Sequence, residues 1–162
     1  ERELGSLRVS EGRPDPSRHF HQRGIFRYAS LEAMRDAAVA SADGRGISLF
    51  VHGYNNSFAE SLFRYAQLYH DANQTGAAVA FQWASLGDPR GYIHDRDSAL
   101  NARQTLAETI ESLSQGPENR LRVAAHSMGS LLLMELTFGN LKTRFPLALA
   151  MTKRMSVLIT NV

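Results

Sequence analysis

Short apolar segments of strand length alternate along this chain with longer stretches whose apolar residues recur every three or four positions. Ser30 precedes Leu31, Met34, Ala37 and Ala38, a spacing that predicts a short N-capped helix ending by Gly44. Ile47-Ser48-Leu49-Phe50-Val51, bounded by Gly46 and Gly53, has the length and character of a buried parallel strand. After the turn His52-Gly53-Tyr54-Asn55-Asn56, Ser57 and Glu60 form a capping-box signature. Phe58, Leu62, Tyr65, Ala66 and Tyr69 then continue as one face of a helix running to about Ala72. Ala77 to Trp83 reads as a second strand and Gly87 to Asp97 as a loop. From Ser98 an amphipathic helix carries Ala102, Leu106, Ile110 and Leu113 on one face until Gly116-Pro117 stops it. Leu121 to Ala125 is a third strand, and Met128 to about Phe138 a helix with leucine on several sides, which predicts burial. Ser156 to Val162 reads as a fourth strand.

Strands alternating with helices specify right-handed crossovers. The expected fold class is therefore α/β: a mostly parallel sheet with helices on both faces, in a single domain over residues 1–162. Residues 1–28 mix Arg, Gly, Pro and Ser with brief apolar pieces and read as a loop or edge strand leading into it. A sheet stopped at its fourth core strand leaves an unpaired edge, so the domain is expected either to lack a C-terminal part or to form a homodimer.

Composition narrows function more than fold. With 43% hydrophobic and 21% charged residues, the 162-residue chain has the material for a real core. Eighteen basic against sixteen acidic residues leave a net charge of +2, with the arginines scattered. Nucleic acid is therefore not an expected partner, because its recognition needs basic residues gathered on one face. The absence of cysteine removes disulfides, thiolate metal sites and a cysteine nucleophile. No apolar run approaches the ~20 residues that span a bilayer, so no transmembrane segment is expected. Nothing in the composition assigns a compartment.

The candidate chemistry lies where the third strand meets the helix after it. A serine hydroxyl is a poor nucleophile unless a base takes its proton and its Oγ is held clear of the backbone. A tight strand-to-helix turn does the second job, and small residues two before and two after the serine let the backbone pass closely there. Ala125-His126-Ser127-Met128-Gly129 has that pattern, with alanine in the first small position. Ser127 would sit at the carboxyl end of a parallel strand, and the N–H of Met128 would be the first donor to a developing oxyanion. The second donor in such a site comes from a His-Gly type loop after an earlier strand. His52-Gly53-Tyr54 occupies that place and offers the Tyr54 N–H. The plainer alternatives are that Ser127 caps the following helix and that Gly53 merely serves a turn.

These motifs, together with Phe50-Val51, Asn55-Asn56-Ser57-Phe58, Phe81-Gln82-Trp83-Ala84-Ser85-Leu86-Gly87, Tyr92, Asp95, Ser98 and Ala99, are similar to a bacterial family of predicted α/β-hydrolases of uncharacterised function. The resemblance covers about Ile47 to Leu136 and departs at Ala84, where members usually carry proline. It implies an α/β-hydrolase fold with esterase-like and lipase-like architecture, in which an acid follows a later strand and the base histidine comes near the end of the domain. Chain order in that class is Ser, acid, His. No histidine follows His126 and no Asp or Glu follows Glu135, so neither partner can be assigned after Ser127.

Other candidates are weaker. His19 and His21 stand at strand spacing without carboxylates or cysteines beside them, and with His70 they read as surface residues. His94 falls in the expected loop. Asp95 and Asp97 beside Ser98 suggest a helix cap before an acid pair. Trp83 and Tyr92 could line a cleft or fill the core. The expected function is hydrolysis of a small-molecule carboxylic ester or related acyl substrate by Ser127, with Tyr54 and Met128 as oxyanion donors, His52, Gly53, His126 and Gly129 in support, and no metal or organic cofactor. The alternative expectation is a non-catalytic or truncated module for protein binding, or half of a split enzyme.

Overall fold

The computed structural model describes residues 24–115, 120–138 and 155–160. Within them the elements run α1 (Leu31–Ala42), β1 (Ile47–Val51), α2 (Phe58–Asp71), β2 (Ala77–Phe81), α3 (Tyr92–Asn101), α4 (Arg103–Leu113), β3 (Leu121–His126), α5 (Met128–Phe138) and β4 (Met155–Thr160). The four strands form one sheet in the order β2-β1-β3-β4, with every pairing parallel. All five residues of β1 are buried, as a strand covered on both faces requires.

Side-chain alternation divides the sheet into two environments. Ile47, Leu49 and Val51 share a face with Leu121, Val123 and Ala125, and the main core forms there. Leu106, Ile110 and Leu113 of α4 and Leu132, Leu133 and Leu136 of α5 fill that core, with Ala42 of α1 at its edge. Ser48 and Phe50 point the other way, toward α2. The Tyr65 ring stacks on Phe50 with centroids 5.0 Å apart, and its hydroxyl donates to the Ser48 carbonyl at 2.6 Å. Burial of that phenol pushes its pKa up to about 12.

Two expected helix starts are realised with their caps. The Ser30 side chain accepts from the Ala33 N–H, and Ser57 and Glu60 form the reciprocal capping box. The buried face of α2 is the expected one only in part, with Tyr65 buried and Leu62 and Tyr69 partly so. Phe58 is 67% exposed and Ala66 is exposed, while Ser61 and Tyr65 are buried. Ser61 is small enough to approach the end of β2, and its hydroxyl donates to Oε1 of Gln82, just beyond that strand, at 2.6 Å. In α5, Leu131 and Met134 are exposed, so the leucine-rich helix is buried on one side rather than all round.

The stretch expected as a loop from Gly87 to Asp97 ends earlier. Helix α3 begins at Tyr92 behind Gly91, runs past the expected start at Ser98, and gives way to α4 at Ala102. The break lets Ala99 join Leu106, Ile110 and Leu113 in one core. Strand β2 stops at Phe81 rather than Trp83, and β3 extends to His126. Gly24 to Ala29 form neither helix nor strand, with Ile25 and Phe26 exposed. The remainder of the N-terminal lead, His19, His21 and Gly116-Pro117 lie outside the described residues.

Candidate active site

The parallel strands deliver three loops to one edge of the sheet: His52 after β1, Gln82 after β2 and Ser127 after β3. Ser127 has φ 53, in the left-handed region. The other described non-glycine residues there are Asp43, Asn55 and Asn73, types that tolerate it. Ser127 has no such excuse, and the conformation costs about 1–2 kcal/mol. The turn beyond it is held by the Ser127 carbonyl, which accepts from the Ser130 and Leu131 N–H groups, while the Ser130 hydroxyl donates to Ala125 O at 3.0 Å.

Two glycines allow the loop after β1 to touch this corner. A Cβ at Gly129 would stand 2.4 Å from the His52 carbonyl oxygen and 2.6 Å from that of Val51. A Cβ at Gly53 would stand 2.7 Å from His126 Nδ1 and 2.9 Å from Ser127 Cβ. Backbone therefore passes against backbone on both sides. Ala125 occupies the other small position with its methyl in the core, at 1% exposure.

His52 is buried at 2% exposure, its ring stacked on Trp83 with centroids 4.6 Å apart. The Trp83 N–H donates to Nε2 at 3.1 Å, and Nδ1 lies 2.9 Å from the Gly53 carbonyl oxygen. The tautomer protonated at Nδ1 makes both bonds with a neutral ring. The alternative proton on Nε2 would serve only the Trp83 carbonyl, also 3.1 Å away. Burial pushes the imidazole pKa below its ordinary value. Trp83 is thus core, and its indole N–H donates back to the His52 carbonyl at 2.9 Å. Tyr92 is 54% exposed and meets Tyr54 edge-on at 5.3 Å, and the Tyr54 hydroxyl donates to the Pro89 carbonyl.

A polar network whose role the sequence does not advertise stands behind the loop. Asp95, fully buried in the first turn of α3, accepts from the Ser85 hydroxyl at 2.6 Å and from the N–H groups of Leu86 at 2.8 Å and Asn55 at 3.2 Å. Ser85 Oγ in turn accepts from the Asn56 N–H at 3.2 Å. Burial pushes the Asp95 carboxyl up, but these donors hold it below the ordinary carboxylate value. Asp95 is neither a terminal helix cap nor half of an acid pair, since Asp97 is exposed and bridges Arg96. The cue available in sequence was only that a carboxylate and a serine flanked the same loop.

The geometry brings together His52, Gly53, His126, Ser127 and Gly129, five of the residues expected from sequence. Met128 is buried and opens α5. Among the described residues, no hydrogen bond uses the N–H of Tyr54 or of Met128. His126 is partly buried, and its Nδ1 has no hydrogen-bond partner among the described residues. His70 is exposed beside Asp71 on α2, and His94 is a half-exposed neighbour of Asp95.

A family model described as alpha/beta hydrolase of unknown function (DUF900) matches residues 28–146. The chain belongs to that family. The resemblance read over Ile47 to Leu136 falls inside the matched span, and the α/β-hydrolase fold expected from it holds. No curated protein and no solved structure matches the chain. Within this α/β-hydrolase, no helix among the described residues is long and apolar enough to cross a membrane.

Proposed function

We propose that this α/β-hydrolase cleaves a carboxylic ester or related acyl compound, with Ser127 as nucleophile. The observation that carries the proposal is a serine at φ 53 on the turn between a parallel strand and a helix, with Gly53 packed against its Cβ. A strained residue without a local reason for its conformation, at the carboxyl edge of a parallel sheet, is where this fold places chemistry. The N–H groups of Tyr54 and Met128, unused among the described residues, suit an oxyanion hole.

In the proposed reaction Ser127 Oγ bonds to the acyl carbon while its proton passes to a base, and the carbonyl electron pair moves onto oxygen, where the Tyr54 and Met128 N–H groups receive it. Collapse expels the alcohol, which takes the proton from the base, and water then repeats the sequence to release the acid. His52 is unsuited to be that base, because both ring nitrogens are engaged and burial opposes its protonation. The base and its acid partner are proposed to come from beyond the described residues or from a second copy.

Treatment with a fluorophosphonate probe, read by intact mass with Ser127→Ala as control, tests this. An adduct on the wild type that disappears in the variant is the expected result. No adduct, including on a protein extended beyond Val162, would sink the enzymatic reading and favour a binding role for the fold.

A further inference from the structure

Resting on the serine-hydrolase reading, we propose that Asn56 is a positioning residue: it clamps the Gly53–Tyr54 peptide so that the Tyr54 N–H is held ready as an oxyanion donor. A trans peptide unit is planar, so its C=O and N–H point in opposite directions. The described residues contain no cis peptide. Holding the Gly53 carbonyl therefore aims the Tyr54 N–H.

Two buried side chains hold that carbonyl. Asn56 Nδ2 donates to Gly53 O at 3.1 Å, and His52 Nδ1 donates to the same oxygen at 2.9 Å. The Asn56 amide also donates to Tyr54 O at 2.7 Å, so the peptides on both sides of Tyr54 are fixed by one group. Both acceptors are carbonyl oxygens, which only the NH2 end of the amide can serve, and this settles its orientation. Glycine at position 53 places little restraint of its own on the backbone. Asn56 is itself immobilised: it is 6% exposed, and its N–H is tied through Ser85 to the buried Asp95 carboxylate. The cluster leaves the Tyr54 N–H with no acceptor among the described residues. A network that satisfies the carbonyls around a peptide but not its N–H suits a donor kept for a ligand oxygen.

The discriminating substitution is Asn56→Asp. It preserves shape but turns an NH2 donor into an oxygen facing two carbonyl oxygens. Losing an oxyanion donor costs about 100- to 1,000-fold in kcat, and misplacing one costs up to ~100-fold. On the full protein with an activated ester, kcat is expected to fall about 10- to 100-fold with KM held within about twofold, as for an interaction made in the transition state. A second readout is independent of turnover. The Gly53 carbonyl carbon and Tyr54 amide nitrogen NMR resonances should shift in Asn56→Asp, and return toward wild type as acid protonates the new carboxyl into a donor. Should aspartate prevent folding, Asn56→Ser takes its place, read by the same kcat and KM comparison and the same resonance shift, without the acid reversal.

Unchanged kcat, or a rise in KM alone, overturns the proposal, as do Gly53 and Tyr54 resonances that do not move. If the wild type shows no Ser127-dependent turnover, the serine-hydrolase reading fails separately, and the resonances then decide the clamp: a shift supports it and no shift refutes it.

Discussion

Replacing Ser127 by glycine and, separately, by alanine measures the strain in the turn without reference to activity, because both variants lack the hydroxyl. At φ 53 an L-residue carries a penalty of about 1–2 kcal/mol that glycine escapes. Glycine gives back roughly 0.5–1 kcal/mol through the greater backbone freedom it loses on folding. The difference leaves Ser127→Gly more stable than Ser127→Ala by roughly 0.5–1 kcal/mol, opposite in sign to the usual helix preference for alanine. For a chain of this size that is a gain of roughly 1–4 °C in Tm, or about 0.25–0.5 M in the urea midpoint at equal slope. Urea melts of the two variants at one pH supply the comparison. Alanine equal to or more stable than glycine would refute the left-handed geometry at Ser127, and with it the main support for a nucleophile there.

Three further outcomes follow from the same geometry. Gly129→Ala should destabilise by about 1–3 kcal/mol in thermal or urea melts, because its Cβ would lie 2.4 Å from a backbone oxygen that no rotamer change can move; wild-type stability in that variant would count against the close approach. His52 is held neutral by burial, so its folded pKa lies below its unfolded one, and its contribution is complete above about pH 6.5 and declines as pH falls below that. Melts between pH 7.5 and 5 should show this decline in the wild type and lose part of it in His52→Gln. Asp95→Ala would strip three donors of a buried acceptor, at about 3 kcal/mol or more. Its folded carboxyl is depressed, so the wild-type contribution persists above about pH 4 and fades below it, a window distinct from that of His52.

Much of this architecture was legible in local pattern. Periodicity and flanking glycines located β1, and the capping box placed the start of α2, because both signals are written in neighbouring residues. The small-residue spacing around Ser127 announced a corner, and His52-Gly53 announced the loop that meets it. Local pattern misplaced Phe58 and Ala66 on the buried face of α2 and misjudged the start of α3. Which helical stripe is buried depends on the sheet it lands on, and Tyr65 found Phe50 while Phe58 found no cover. Tyr92 to Asp97 looked like a loop because its charges and exposed apolar residues carry no helical stripe; the helix there places Asp95 beneath two loops.

The remaining features are contacts between segments far apart in the chain, which no short-range motif records. Gly53 against Ser127 Cβ, Gly129 against the carbonyls of Val51 and His52, and Asp95 holding Asn55, Ser85 and Leu86 arise only when parallel pairing draws the ends of β1, β2 and β3 to one edge. Residue type and spacing thus name the elements and the serine that chemistry would use. Packing settles whether its backbone is strained, which imidazole is locked neutral and which amide holds the neighbouring peptide, because each depends on distances of a few ångströms between residues tens of positions apart.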